Sequence, residues 1–156
     1  MAEAVLPPIC FAGGVFVALL AAVIAVLRGR VRAAAKAAKP IISFLHPFCN
    51  DGGGGERVLW VGVRDIIAQH GERVRVVVYT GDAVSDAEIR AHALSRFGVR
   101  IPSEVEFVRL ALRGWIEPKR YPVATLVGQA LGSLLLAAEA VARCPPAVLV
   151  DTTGLH

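Results

Sequence analysis

Long uncharged stretches alternate with short polar turns along this chain, and the first uncharged stretch is the longest. Residues 4–27 form 24 consecutive uncharged positions rich in Ala, Val, Leu, Ile and Phe. A helix of that length would span about 36 Å, which exceeds a hydrocarbon core of about 30 Å. The pair Pro7 and Pro8 trims its start and leaves about 19 residues, which still suffice to cross. The pattern therefore predicts a transmembrane helix.

Beyond residue 40 the pattern changes to short β-branched runs that alternate with amphipathic segments. The runs predict four buried strands, at 41–45, 74–79, 105–108 and 147–151. The segments between them predict three helices, at 58–69, from Ser85 to just before Gly98, and at 122–142. Strands that are apolar throughout and separated by helices are typical of a parallel sheet buried on both faces. We therefore expect an α/β domain with β-α-β-α-β-α-β order, which is half of a Rossmann-like fold.

Residues 122–142 permit two interpretations. They are nearly free of charge and contain Gly128-x-x-x-Gly132, a spacing typical of closely packed membrane helices. A second membrane span is therefore one alternative. A buried or membrane-abutting helix of the α/β domain is favoured, because a strand-like run follows after only a Pro-Pro turn.

Composition and charge exclude several classes of protein. Apolar residues make up 55% of the chain, charged residues 19%, and the mean hydropathy is +0.58, which excludes a disordered tail. The net charge of +4 arises before residue 40, because residues 40–156 hold as many acidic as basic side chains. The cations in this block are Arg28, Arg30, Arg32, Lys36 and Lys39. A nucleic-acid-binding protein would spread such charge over a folded face among aromatic residues, so we expect no nucleic-acid partner.

The cation block also predicts the orientation of the apolar helix. Secretory signal peptides carry their cations before a shorter apolar core, whereas here an acid precedes the core and the cations follow it. The positive-inside rule then places the N-terminus in the lumen and the rest of the chain in the cytosol. Residues 1–30 are predicted to be a signal anchor, and 31–40 a basic juxtamembrane linker or short helix against anionic head groups. A cleaved signal peptide and a buried helix are the alternatives.

The segment of greatest chemical interest is HPFCNDGGGGER, residues 46–57. Four consecutive glycines between a strand and a helix allow the backbone to approach a ligand closely. The first helical turn then presents free N–H groups and the positive end of the helix dipole, an arrangement that binds phosphate or diphosphate. The segment lacks both the GK[ST] of a P-loop and the GxGxxG of dinucleotide-binding folds. A flexible turn without a ligand is the alternative.

The candidate ligand-binding residues follow from that segment. His46 ends the first strand, and the carboxyl ends of parallel strands are where open α/β sheets bind ligands, although a capping or core role is the alternative. Asp151 ends the last strand in the same way. Glu56 also favours a helix N-terminus by its charge alone. The complete set of candidate substrate- or phosphate-binding residues is His46, Asn50, Gly52, Gly53, Gly54, Gly55, Glu56 and Arg57.

The other histidines and the cysteines indicate no further site. His70 and His92 fall on predicted exposed helix positions, where we expect both side chains to be solvated. No HExxH, HxxxH or carboxylate cluster supports a metal site. The cysteines are too far apart in sequence for a disulfide framework, a zinc knuckle or a CxxC redox pair; they are Cys10, Cys49 and Cys144.

Four stretches of the sequence resemble one family of enzymes, in the same order. They are FLHPFCNDGGGGERVLW at 44–60, VVYTGD at 77–82, SRFGVR at 95–100 and the segment 121–133. The family is that of the asparagine-linked glycosylation α-1,2-mannosyltransferases of the dolichol pathway. Its members use GDP-mannose to extend the lipid-linked Man3GlcNAc2 oligosaccharide. The resemblance extends from residue 41 to about 154, and the apolar segment before it fits the family as well.

The resemblance implies a GT-B glycosyltransferase fold, retaining stereochemistry, and neither a cofactor nor a required metal. It also implies GDP-mannose and the dolichol-linked oligosaccharide as partners, with other mannosyltransferases of the pathway as further candidates. The implied location is the endoplasmic reticulum membrane, crossed once, with the globular part on the cytosolic face. The glycine segment would then face the cleft between two domains.

A GT-B enzyme contains two Rossmann-like domains of roughly 150–200 residues each. We therefore expect residues 41–156 to be a truncated N-terminal glycosyltransferase domain that is inactive alone. The catalytic residues of the second domain are left unassigned. The alternative function is that of a non-catalytic, membrane-anchored module that binds lipid-linked sugar or partner subunits.

Overall fold

The domain is built on four parallel strands, as the sequence pattern predicts. The computed structural model describes residues 8–120 and 125–152 of the chain. The strands are β1 Ile41–Leu45, β2 Arg75–Thr80, β3 Glu106–Arg109 and β4 Val148–Asp151, in the sheet order β3-β2-β1-β4. All neighbouring pairs are parallel. The predicted strand boundaries are correct to within one residue, and the α/β class is confirmed.

Helices precede and connect the strands. They are α1 Pro8–Ala35, α2 Gly54–His70, α3 Asp86–Phe97 and α4 Thr125–Arg143, with short 3-10 turns at Leu112–Trp115 and Pro118–Arg120. The predicted start of the last helix at Pro122 lies outside the described residues. α2 begins four residues before the predicted Val58, because Gly54 and Gly55 belong to its first turn. The glycine segment is therefore half loop and half helix.

α3 has the cap that its sequence predicts. The Ser85 hydroxyl accepts a hydrogen bond from Glu88 N at 3.2 Å, while the Glu88 carboxylate accepts one from Ser85 N at 2.7 Å. Hydrogen bonds from Ser85 hold the pKa of Glu88 below its usual value. At the other end Gly98 adopts a φ of 69°, a left-handed conformation that favours glycine and ends the helix. Both ends of α3 are thus fixed by residues that the sequence identifies.

The two faces of the sheet bury separate apolar layers, because successive strand residues point to opposite sides. One layer lies against α2 and α3 and includes Phe44, Leu59, Trp60, Val78 and Ile89. The other lies against α4 and includes Leu45, Val77, Tyr79, Leu136 and Ala140. Helices thus cover both faces of the sheet, as a parallel sheet of continuously apolar strands requires.

α4 packs on the sheet through a row of small and apolar residues. Gly132, Leu136 and Ala140 are buried at the i, i+4, i+8 spacing of one helix face. A Cβ atom at Gly132 would overlap the carbonyl oxygen of Trp115, so the glycine permits a close approach to the first 3-10 turn. The second glycine of the GxxxG pattern therefore serves packing within the domain, which favours interpreting α4 as a domain helix.

The opposite face of α4 is apolar and uncovered. Leu126, Val127, Leu131 and Leu134 are each at least 59% exposed. The helix has 19 residues and would measure about 28 Å. Among the described residues it is the helix whose length and composition would allow it to cross a membrane. α4 thus has one face on the sheet and a second apolar face whose side chains are largely exposed.

α1 is continuous from Pro8 to Ala35, so it runs through the predicted boundary at residue 30 between anchor and linker. From residue 18 to its end, Leu27, Val31 and Ala34 are half-buried and the other side chains are exposed. The three positions share one face of α1, and two of them, Leu27 and Val31, line a groove between α1 and α4. Residues 1–7 of the predicted anchor lie outside the described residues.

Candidate functional site

A cavity of about 230 Å³ opens where β1 and β4 end. The chain passes from β1 to β2 on one side, whereas β4 adds to the other side of β1, so the strand order reverses at this point. Such a switch point leaves a crevice at the carboxyl edge of the sheet, which is where open α/β sheets bind ligands. The lining residues are His46, Phe48, Asp51, Gly53, Gly55, Glu56 and Thr152.

Glu56 is the buried carboxylate of this cavity, with only 2% of its surface exposed. Its Oε2 accepts hydrogen bonds from the backbone N–H groups of Gly52 and Gly53, the latter at 2.9 Å. Gly53 is the N-cap of α2 and has no side chain that could complete a reciprocal cap. Glu56 therefore favours the helix N-terminus as its charge predicts, and it also fixes the loop that precedes α2.

The cap leaves other N–H groups of α2 available. Gly54, Gly55 and Glu56 occupy the first turn, whose N–H groups lack an acceptor four residues earlier in a helix. The N-cap supplies no side-chain acceptor for them. The glycine segment thus uses two of its N–H groups internally, at Gly52 and Gly53, and retains those of the first turn.

Gly52 marks the place where the loop meets α3. Its φ of 80° lies in the left-handed region that favours glycine. A Cβ atom there would lie 3.5 Å from Nε of Arg96 and 3.8 Å from the His92 ring. The His92 ring is itself half-buried, with Nδ1 3.9 Å from Oε1 of Glu56. The prediction that His92 is solvated is wrong, because α3 packs against the start of α2, whereas His70 is exposed as predicted.

His46 lies at the end of β1 with 7% of its surface exposed. Its backbone N–H donates to the Tyr79 carbonyl at 3.1 Å, and its Nδ1 lies 2.9 Å from Oγ1 of Thr152. Burial lowers the pKa of the imidazole below 6.5, although the Glu56 carboxylate and the backbone of Thr152 act in the opposite direction. The ring is therefore neutral near pH 7.

A second buried carboxylate, Asp82, holds the loop that follows β1. Its Oδ2 accepts a hydrogen bond from Cys49 N and lies 3.3 Å from the Thr80 hydroxyl. Its Oδ1 pairs with Arg113, whose guanidinium carbon lies 4.4 Å from the centre of the Phe48 ring. The network joins the loop to the end of β2 and to the first 3-10 turn. Sequence reasoning missed Asp82, although its position just after β2, at the carboxyl end of a strand that neighbours β1, is the signal that could have identified it.

The cavity offers neither a thiolate nor a metal site among the described residues. The Cys49 thiol donates to the carbonyl of His46 at 3.0 Å, and burial raises its pKa, so the sulfur stays protonated and a poor nucleophile. No cluster of three His, Cys, Asp or Glu side chains in the described ranges is close enough to hold a metal ion. The polar groups at hand are backbone N–H groups, a neutral imidazole, a hydroxyl and carboxylates.

The structure brings together half of the binding residues predicted from sequence. The cavity is lined by His46, Gly53, Gly55 and Glu56. The other four are not among its lining residues and are Asn50, Gly52, Gly54 and Arg57. The strand-end candidate Asp151 lines a different cavity, beside α4, while its neighbour Thr152 lines this one. Sequence reasoning missed Phe48, Asp51 and Thr152, although the first two belong to the motif at 46–57.

The two helical glycines differ in what surrounds them. A Cβ atom at Gly54 would meet no atom within 4 Å. A Cβ atom at Gly55 would lie 3.6 Å from Cε1 of His46 and 3.7 Å from the Thr152 carbonyl oxygen, which are ordinary contact distances. Neither position has a positive φ. Both glycines therefore leave space open, although the backbone conformation does not require glycine at either position.

Proteins from several organisms resemble this chain over its α/β domain. Relatives named GDP-Man:Man(3)GlcNAc(2)-PP-Dol alpha-1,2-mannosyltransferase include one from Xenopus tropicalis, 42% identical over 117 residues, which are 74% of this chain and 24% of the relative. The Homo sapiens protein of that name is 46% identical over 115 residues, 73% of this chain and 23% of its own length. The Eremothecium gossypii protein of that name is 47% identical over 116 residues, which are 73% of this chain and 20% of the relative.

The chain thus spans about a quarter of the length of the curated relatives that it matches. No solved structure matches it. A family model described as the ALG11 mannosyltransferase N-terminus matches residues 39–156, which include the whole sheet and the cavity at its carboxyl edge. The chain therefore belongs to the family of ALG11 mannosyltransferase N-termini.

Proposed function

We propose that this chain forms the Rossmann-like N-terminal domain of a retaining GT-B glycosyltransferase. In this proposal the enzyme transfers mannose from GDP-mannose to a dolichol-linked oligosaccharide in α-1,2 linkage, for protein N-glycosylation. The observation that supports it most strongly is that the glycine segment lies at the switch point between β1 and β4 in a chain of a mannosyltransferase family. The names of the matched relatives give GDP-Man as donor and Man(3)GlcNAc(2)-PP-Dol as acceptor for those proteins.

The cavity is suited to the diphosphate portion of the donor. Its volume of about 230 Å³ is below the roughly 300–1,000 Å³ of sites that enclose a whole small ligand. The N–H groups of Gly54, Gly55 and Glu56, with the positive end of the α2 dipole, would stabilise the charge of the departing diphosphate. Arg57 adds a positive charge on the same turn. Backbone N–H groups, with no cofactor, supply the stabilisation in this proposal.

His46 contributes a neutral donor to the same site. The Thr152 hydroxyl also lies 3.4 Å from the Leu45 carbonyl oxygen, to which it can donate. In the tautomer proposed for catalysis the hydroxyl donates to Nδ1 of His46 instead, so that the ring proton resides on Nε2, which then donates to a substrate oxygen. The depressed pKa keeps the ring from acquiring a second proton near pH 7. Asn50 and the Gly52–Gly53 turn shape the entrance, because Glu56 and Asp82 hold the loop on either side of it.

The membrane portion of the proposal follows from charge and helix length. Residues 1–30 anchor the protein by a single span, 31–40 lie against the cytosolic leaflet, and 41–156 form the glycosyltransferase domain at the endoplasmic reticulum. Other mannosyltransferases of the pathway are the expected protein partners. A glycosylation acceptor tag at residue 2 should be modified in microsomes and one after His156 should not; the reverse pattern contradicts this topology.

A chimera tests the enzymatic proposal. Residues 39–156 would replace the matching segment of the Xenopus tropicalis relative, and mannose transfer from GDP-mannose to Man(3)GlcNAc(2)-PP-Dol would be measured in detergent. We expect transfer, and none from the relative lacking that segment. A chimera that is folded, present in normal amounts and able to bind the acceptor, yet transfers no mannose, would overturn the proposal in favour of a non-catalytic module that binds lipid-linked sugar.

A further inference from the structure

A groove of about 490 Å³ runs between α1 and α4, and none of its lining residues belongs to the candidate functional site. α1 contributes Leu27 and Val31 to the lining, and α4 contributes Leu134, Ala138 and Val141. Its volume falls within the roughly 300–1,000 Å³ that is typical of sites for small molecules. The groove therefore has both the size and the apolar lining of a ligand site.

Two arginines of α1 also line this groove. Arg28 and Arg32 are one helical turn apart, a spacing at which like charges repel each other. Both are exposed, and neither has a hydrogen bond or ion pair within the described ranges. The sequence contains no acidic residue between Glu3 and Asp51. The one acidic residue of α4, Glu139, is occupied by the N–H groups of Ala111 and Leu112 and by Arg143.

We propose that the α1–α4 groove binds one anionic glycerophospholipid, with an acyl chain along the apolar lining and the phosphate on Arg28 and Arg32. A guanidinium presents its donors in a planar fork that matches a phosphate group. A free phosphate ion would leave the apolar lining unused, and a neutral lipid would leave the two arginines without an anion. An anionic lipid satisfies both parts of the groove.

The surfaces on either side support a lipid rather than a protein segment. Towards their N-termini, both helices continue from the groove with exposed apolar residues, which are Leu19, Leu20 and Val23 on α1 and Leu126, Val127 and Leu131 on α4. Towards the C-terminus of α1 the cations continue with Lys36 and Lys39, which follow the helix. Apolar surface next to cations is the arrangement that a membrane interface requires.

This inference rests on the membrane attachment proposed above, and lipid retention tests it separately from attachment. The full chain would be incorporated into phosphatidylcholine nanodiscs with and without phosphatidylserine, released in uncharged detergent, and analysed by native mass spectrometry for retained lipid. Flotation with vesicles of the same compositions would measure attachment. We expect one retained phosphatidylserine per chain and no retained phosphatidylcholine when phosphatidylserine is present.

Two variants with matched controls locate the lipid. Arg28→Gln/Arg32→Gln removes two charges from the groove, while Arg30→Gln/Lys36→Gln removes two charges outside it. Ala138→Trp fills the groove, while Ala142→Trp adds the same side chain at an exposed position of α4. We expect Arg28→Gln/Arg32→Gln to reduce phosphatidylserine retention about tenfold or more, the effect of losing a charge-assisted hydrogen bond. Ala138→Trp should reduce it to a similar extent, because the indole occupies the space of the acyl chain, and both controls should leave it unchanged.

Several results would overturn the inference. One is an equal loss of phosphatidylserine retention in Arg28→Gln/Arg32→Gln and in its control Arg30→Gln/Lys36→Gln. A second is full retention in Ala138→Trp. A third is that the chain retains farnesyl diphosphate in preference to phosphatidylserine when both are offered. Binding of inorganic phosphate at the arginines with no retained lipid would also overturn it. If the wild-type chain does not float with vesicles of either composition, the proposed membrane attachment itself is wrong. If the chain floats normally but retains no lipid, only the proposed lipid site in the groove is wrong.

Discussion

Oγ1 of Thr152 lies 2.9 Å from Nδ1 of His46, although the two residues are 106 positions apart in the chain. The contact exists because β4 pairs with β1 in parallel register, with Asp151 opposite Leu45. On its other side, the backbone of His46 donates to the Tyr79 carbonyl at the end of β2. The imidazole is therefore oriented by three adjacent strand ends rather than by the glycine loop.

Loss of the Thr152 hydroxyl should reduce mannose transfer by the chimera. Thr152→Val keeps the shape of the side chain but removes the hydrogen bond that orients His46. We expect kcat/KM to fall about 3- to 10-fold, the effect of one hydrogen bond. Thr152→Ser, which keeps the hydroxyl, should retain most of the activity. Equal activity of the Val and Ser variants would contradict the orienting role of Thr152.

Small additions at the two helical glycines should weaken GDP-mannose binding without destabilising the domain. Gly54→Ala places a methyl group in open space, and Gly55→Ala places one against His46 at ordinary contact distance. Each exchange should stabilise α2 by up to about 1 kcal/mol, because alanine favours a helix over glycine. We nevertheless expect KM for GDP-mannose to rise about tenfold or more in the chimera, since the methyl groups occupy the space near the first-turn N–H groups.

Gly62→Ala is the matched control for these variants. Gly62 lies in the middle of α2, where a Cβ atom would make ordinary contacts 3.8 and 3.9 Å from the Phe44 ring. It should give a similar gain in the midpoint of denaturation and no change in KM. If the Gly54 and Gly55 variants also bind GDP-mannose normally, the glycine segment is a turn without a ligand.

Loss of the buried Glu56 carboxylate should lower the stability of the domain. Glu56→Ala removes the acceptor for the N–H groups of Gly52 and Gly53 and should lower the free energy of unfolding by about 1–2 kcal/mol, as loss of a helix cap does. Glu56→Gln keeps an acceptor oxygen and should recover part of that loss. Urea denaturation of the full chain in uncharged detergent measures both. Wild-type stability of Glu56→Ala would show that Glu56 does not fix the loop.

The strands were predictable because their sequences are locally unambiguous. A half-exposed strand alternates apolar and polar residues, whereas β2 contains Val76, Val77 and Val78 in succession. This continuous apolar pattern predicts burial on both faces, and all three valines are buried. The caps of α3 were predictable for the same local reason, because Ser85 and Glu88 are only three residues apart. Such features require no knowledge of the tertiary structure.

The cavity was only partly predictable because it depends on contacts between distant residues. The position of Thr152 beside His46 follows from the order of the strands, which local patterns do not specify. His92 was expected on an exposed face, because the packing of α3 against the start of α2 is not encoded in the periodicity of α3. The start of α2 was misplaced since glycine disfavours helices, and the Glu56 cap outweighs that preference.

The depressed pKa of His46 predicts a pH dependence of stability. Burial favours the neutral ring in the folded state, so the unfolded chain binds more protons as the pH falls below about 6.5. The stabilisation is therefore complete above that pH and is lost on acidification, with a slope of at most about 1.4 kcal/mol per pH unit for one proton. His46→Gln should flatten this dependence between pH 7 and 5 in urea denaturation of the full chain, whereas the exposed His70→Gln should not. A slope unaffected by His46→Gln would contradict the assignment.

The 156-residue chain by itself should not transfer mannose. Holding donor and acceptor in reactive geometry can contribute about 7–11 kcal/mol to lowering a barrier, and this requires groups on both sides of the reacting sugar. The cavity at the ends of β1 and β4 has room for a diphosphate but not for the whole donor. The described residues that line it all lie at the carboxyl edge of the one sheet. We expect the chain in detergent to bind GDP weakly, to lose that binding in Gly55→Ala, and to form no extended lipid-linked oligosaccharide. GDP release coupled to product formation, above the level of the heat-denatured chain, would show that this domain alone assembles a complete active site.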